Sequence, residues 1–118
     1  MKIAIPTEGE GGITDAVAKH FGRCKTYTIL DEDGNLVKII KNITVHFGGE
    51  KLPPELIKDF GVSILLCQDI GLKALKLCQK LKIKVFIGDE TNVLEIFKKW
   101  KKGCLMVADM TNICKSGH

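Results

Sequence analysis

Gly61-Val62-Ser63-Ile64-Leu65-Leu66-Cys67-Gln68-Asp69-Ile70-Gly71 is the segment whose reading decides the fold class. From Val62 to Leu66 it is apolar apart from Ser63, shows no in/out alternation, and has the length of a strand. A strand that is apolar on both faces belongs in the middle of a parallel sheet covered on both sides. The flanks agree. Pro53-Pro54 opens a helix running through Phe60, and Gly61 is its left-handed stop. Gly71 to Lys80 reads as the next helix and Ile83 to Ile87 as another strand. Thr91 caps a last helix that reaches Lys102 and is stopped by Gly103. A strand–helix–strand unit with a closing helix predicts an α/β domain with a right-handed crossover.

Toward the N-terminus, Lys2-Ile3-Ala4-Ile5-Pro6 reads as a short strand, followed by the glycine-rich loop Glu8 to Gly12. Thr14 or Asp15 caps a predicted short helix through Ala16-Val17-Ala18, ended by Gly22. Thr26 to Asp31 and Leu36 to Lys41 are β-rich runs split by a turn containing Asp33-Gly34, a strong hairpin signal. The expected whole is one domain over 1–103, a mixed sheet with helices on its faces. A tail over 104–118 shows no periodicity.

At 118 residues and 45% hydrophobic, the chain has enough apolar material for one real core. Its net charge of +4 is carried by 17 lysines and a single arginine, Arg23. A duplex reader needs a denser basic face with more Arg, so no nucleic-acid partner is expected. The five cysteines form no CxxC pair and no regular framework, which fits reduced thiols. The first residues do not resemble a signal peptide, and no apolar run approaches a membrane span, so a cytoplasmic protein without membrane contact is expected.

The unusual side chains gather at His20-Phe21-Gly22-Arg23-Cys24. Two of the three histidines open a His-Phe-Gly tripeptide, the second at His46-Phe47-Gly48-Gly49. Cys24 lies between Arg23 and Lys25, and neighbouring cations favour the metal-binding thiolate. Gly22 would let a ligand approach the backbone closely. Cys67 ends the central strand, where α/β sheets bind ligands and the next helix start favours an anion; it reads equally as a buried thiol. Cys78 falls on the apolar stripe with Ala74 and Leu81 and is a core residue. Cys104, just past a helix end, carries no signal. Cys114 and His118 stand four apart in the tail, a pair that cannot fill a tetrahedral site alone. Val93, Ile96, Phe97 and Trp100 make the last helix amphipathic, so its lysines form a solvated face. There is no phosphate loop, no GxGxxG, no GxSxG elbow and no carboxylate cluster, so a binding site is visible and catalysis is not.

Met1 to Pro6, His20-Phe21-Gly22-Arg23, the Tyr27-Thr28-Ile29-Leu30-Asp31 strand, and Gly61-Val62 leading to Ile70-Gly71 together resemble the dinitrogenase iron–molybdenum cofactor biosynthesis family. That group includes NifX-type and NafY-type carriers and the C-terminal domain of NifB. Gly88-Asp89 before the Thr-Asn-Val-Leu-Glu helix also fits, and the tail resembles that of small stand-alone members. The resemblance covers nearly the whole chain. It implies a ribonuclease H-like three-layer α/β fold with a five-stranded mixed sheet, no enzyme activity, and binding or carriage of metal–sulfur clusters. By matching position it nominates His20 as a cluster ligand with Arg23 near it, and places His46 in a loop rich in His and Gly. It does not nominate Cys67.

Metal–sulfide clusters are soft and anionic, so thiolate and imidazole suit them. Arg23 and helix N-termini would balance the charge. The expected ligands are His20, Cys24, His46 and Cys67, with Gly22 and Arg23 beside them and Cys114 and His118 as tail candidates. The expected cargo is an iron–sulfur or iron–molybdenum–sulfur cluster, and the expected partners are cluster-assembly proteins. The alternative is a small-molecule or protein-interaction module of the same fold without a cluster.

Overall fold

The computed structural model describes residues 1–43 and 51–109. Its strands are β1 (Lys2–Thr7), β2 (Thr26–Asp31), β3 (Leu36–Lys41), β4 (Val62–Cys67), β5 (Lys84–Ile87) and β6 (Met106–Val107). Its helices are α1 (Pro53–Asp59), α2 (Leu72–Lys80) and α3 (Val93–Lys101), with a 3₁₀ turn at Phe21–Arg23. The strands form one mixed sheet in the order β3-β2-β1-β4-β5-β6. β4 is central and parallel to both neighbours, β1 and β5, as its unbroken apolar run predicts. β2 runs antiparallel to β1 and β3.

Alternate residues of the strands feed two cores. On one face Ala4, Ile29 and Leu65 pack with Leu56 and Ile57 of α1 and Leu75 and Cys78 of α2. On the other, Ile3, Ile5, Leu30, Ile64 and Leu66 pack with Val93, Ile96 and Phe97 of α3. The domain therefore has three layers, and Cys78 is fully buried in one of them. Asp31 organises the β2–β3 hairpin by accepting from the backbone N–H groups of Asp33 and Asn35, and Gly34 adopts φ 89°.

Three expectations need correction. The sheet has six strands and not five, because residues after Gly103 return to it: Met106 and Val107 pair with Ile87 and Phe86. Two residues are too few to show a period. The short helix through Ala16-Val17-Ala18 does not form. Asp15 uses its carboxylate on the N–H groups of Gly9 and Gly11 within its own loop. Val17 instead bridges to Thr7 and Ala16 to Asn92 in extended conformation. Finally, Asn92 and not Thr91 caps α3, its side-chain oxygen accepting from Glu95 N–H at 2.9 Å.

Candidate functional site

The carboxyl ends of the three parallel strands, at Thr7, Cys67 and Ile87, come to one edge of the sheet. The chain leaving β1 folds back over that edge, held by Ala18 N–H to Pro6 O at 2.9 Å and Val17 N–H to Thr91 O at 2.8 Å. It delivers His20 to Arg23 there as a tight turn.

Almost every carbonyl of this turn has a donor. Arg23 N–H bonds to His20 O. Phe21 O accepts from Tyr27 Oη at 2.7 Å and from Cys24 Sγ at 3.4 Å. The Asn42 amide donates to Gly22 O at 3.1 Å and Cys24 O at 3.0 Å. Phe21 N–H reaches Asp69 O across the sheet edge, and the Phe21 ring is buried against Tyr27. A turn with so few unsatisfied groups is held in one shape, and Phe21 is its hydrophobic anchor.

The anchor leaves the polar ends outside. The His20 side chain is 62% exposed, its Nδ1 3.8 Å from Asp69 Oδ2. That separation permits charge pairing and is too long for a direct hydrogen bond. His20 stands where three clefts meet. The largest, about 650 Å³, lies over the ends of β4 and β5 and includes Lys19, Gln68, Asp69, Glu90, Lys99 and Cys104. A second, of about 400 Å³, runs past Arg23 to Gly71 at the start of α2. The third, about 560 Å³, is rimmed by Lys19, Arg23 and Lys25 with Glu8. Arg23 and the uncapped α2 N-terminus share the second cleft, so anionic ligand atoms fit there.

Cys24 differs from its expectation. Its neighbours Arg23 and Lys25 are exposed while its own side chain is buried, bonded to Phe21 O. Burial pushes the thiol up to about 11, where the flanking cations alone would lower it. Alternation along the chain sends adjacent side chains to opposite sides, so sequence neighbours do not act on this sulfur. Cys67 is likewise fully buried and its thiol is raised by burial. Its carbonyl accepts from Gly88 N–H at 3.0 Å, across the ends of β4 and β5. Gly22 contributes its carbonyl to the turn and lines the second cleft. His46, Cys114 and His118 lie outside the described residues. Among the described residues no three His, Cys, Asp or Glu side chains converge as a ready-made metal-ion site.

Several cleft residues were not singled out from the sequence. Asp69 stands beside His20, and Gln68 Nε2 donates to Glu90 O at 2.8 Å. Glu90 faces Lys99 at 3.8 Å. Cys104, exposed, lines the same cleft as His20. The carboxyl-end rule applied to β5 as well as to β4 would have pointed to Gly88-Asp89-Glu90.

The sequence profile described as dinitrogenase iron-molybdenum cofactor matches residues 1–103. An uncharacterized protein of Methanocaldococcus jannaschii is 30% identical over 110 residues, covering 89% of each chain. The crystal structure of PH0822 superposes with a TM-score of 0.76 at 30% identity, over 95% of this chain and 98% of that one. The apo form of the orange protein from Desulfovibrio gigas superposes with a TM-score of 0.80 at 21% identity, over 91% and 92% of the two chains, a likeness of fold. No described helix is long and apolar enough to cross a membrane.

Proposed function

The chain belongs to the dinitrogenase iron-molybdenum cofactor family, and from that premise we propose that it is a non-catalytic carrier of a metal–sulfide cluster, of iron–sulfur or iron–molybdenum–sulfur type. The observation that carries the reading is His20. It is an exposed imidazole on a turn held rigid from beneath, placed where three clefts meet at the carboxyl ends of the parallel strands. An imidazole so placed can coordinate a metal of a bound cluster. Arg23, Lys19 and Lys25 around it can offset the charge of the sulfides.

A sparse ligand set suits a carrier, which must release its cargo to the next protein in cluster assembly. Cys24 and Cys67 serve this reading as packing groups below the site, since ligation would require their buried thiols to come out and lose a proton. The ribonuclease H-like classification of the sheet belongs to the same reading, with the sixth strand as an addition at its edge.

The test is anaerobic purification and reconstitution with iron and sulfide, with and without molybdate, followed by metal and sulfide analysis and a visible spectrum. Wild type is expected to bind cluster, and His20→Ala to lose most of it. Wild type that stays colourless under every loading condition would leave the small-molecule or protein-interaction module as the reading.

A further inference from the structure

The positive charge of this chain is concentrated on one segment. Residues 70–88, which carry α2 and β5, contain five lysines, Lys73, Lys76, Lys80, Lys82 and Lys84, and no Asp or Glu. Of the 18 basic residues, the 13 outside this segment are outnumbered by the 14 acids, so the whole excess of +4 comes from it. On α2, Leu75 and Cys78 are fully buried in the core, and Lys73, Lys76 and Lys80, spaced three and four apart, form an exposed stripe. Like charges at that spacing repel and weaken a helix. No ion pair joins any of the three to an acid among the described residues. The lysines of α3 are placed differently. Lys99 faces Glu90, and Lys101 reaches Glu32 O on the hairpin that carries Asp31 and Asp33.

The stripe begins at the candidate site, because Gly71 and Ala74 share the second cleft with His20 and Arg23. What accompanies the charge selects the kind of partner. None of the large exposed hydrophobic residues falls within 70–88, so a membrane surface would find no anchor. The segment has no arginine, and its one aromatic, Phe86, packs against Trp100, so a nucleic acid would find neither a bidentate fork nor a stacking platform. From Lys73 to Lys80 the stripe runs about 10 Å along the helix, which a patch of carboxylates on a folded protein can match.

We propose that the outer face of α2 is a docking surface for an acidic face of another protein, which it draws in by charge and holds beside the His20 turn. Lysines without a hydrophobic centre favour a fast, salt-sensitive encounter over a stable complex. Such docking goes beyond the carrier reading and does not depend on a cluster.

The experiment titrates the unloaded full chain, isotope-labelled for amide NMR, with a polyglutamate peptide of about ten residues as the stand-in for an acidic protein face. Shift changes are expected along Lys73 to Lys80, with affinity falling about tenfold or more between about 20 and 150 mM salt. Lys76→Glu with Lys80→Glu is expected to weaken binding about tenfold. Lys98→Glu with Lys102→Glu, the same change of net charge at the end of α3, should alter it less than about twofold. Equal losses in the two pairs, shifts spread over both helical layers, or no binding by wild type would each overturn the surface. So would an oligothymidine or phosphatidylserine vesicles still bound at about 150 mM salt, where the peptide has been released, since the face would then belong to a nucleic acid or a membrane. Wild type that takes up no cluster counts against the carrier reading alone, because the peptide titration needs none.

Discussion

The side-chain amide of Asn42, at the end of β3, donates to the backbone carbonyl of Gly22 at 3.1 Å, and its second bond goes to Cys24 O. Asn42 is only 2% exposed, so one buried amide ties the far edge of the sheet to the turn that presents His20 and Arg23. Asn42→Ala would strand one buried carbonyl, Cys24 O, and one part-buried carbonyl, Gly22 O. Each buried unsatisfied group costs about 1–3 kcal/mol, so a loss of about 2–4 kcal/mol is expected. Urea unfolding checks the magnitude, and faster amide exchange at Arg23 would show that the turn itself has loosened. Unchanged exchange at Arg23 in a destabilised variant would mean that Asn42 supports the sheet and not the turn.

Tyr27→Phe is a gentler version of the same test. The ring stays packed on Phe21, with centroids 5.4 Å apart, and only the donor to Phe21 O is lost. Cys24 still bonds that carbonyl. A cost near 1 kcal/mol is expected, and a midpoint equal to wild type would show that the phenol contributes nothing net.

Alkaline pH should weaken the fold through its buried thiols. Burial raises Cys24 from the ordinary 9.0 to about 11, and Cys78 to about 12. Below pH 9.0 both folded and unfolded chains keep these protons, and the stabilisation is fully present. Between the unfolded and folded values the unfolded chain has released them and the native one has not, so stability falls as pH rises. The slope is about 1.4 kcal/mol for each pH unit and each such thiol. Urea midpoints measured from pH 8 to 11 should drop, and Cys24→Ala should flatten the fall over its part of the range. A wild-type curve no steeper than that of Cys24→Ala would argue against a buried, protonated Cys24.

Accessible and buried thiols should separate by reactivity. In a Cys114→Ser background, a thiol reagent is expected to label Cys104 rapidly in native protein and to reach Cys24, Cys67 and Cys78 only on unfolding. Two fast-reacting thiols would show that one of the three lies at the surface.

Gly88 lines the large cleft and has no room for a side chain. A Cβ there would lie 2.6 Å from Glu90 Oε1 and 2.7 Å from Leu105 Cδ2. Gly88→Ala should therefore displace both side chains at a cost of about 1–3 kcal/mol. It should also reduce cluster retention by narrowing the cleft beside Cys104. Wild-type retention in a stably folded Gly88→Ala protein would place the cargo in one of the other two clefts.

The sequence by itself determined the elements whose signals are local. The apolar run Val62 to Leu66 announces a central parallel strand because alternation is lost only when both faces are covered. The Asp33-Gly34 turn and the Gly61 and Gly103 stops declare themselves through backbone conformations that other residues rarely adopt. His20 and Arg23 stand out as rare side chains on an exposed turn. What only the tertiary structure decided is which groups face one another. Cys24 has cations on either side in sequence, yet its thiol points into the core, because burial depends on the whole sheet and not on neighbours. Asp15 reads as a helix cap and instead closes its own loop, since the β1 edge competes for the backbone beyond it. Cys104 carried no pattern in the chain, and it reaches the cleft of His20 because a helix cap and a two-residue strand fold it back there. Long-range placement of that kind leaves no local period to read.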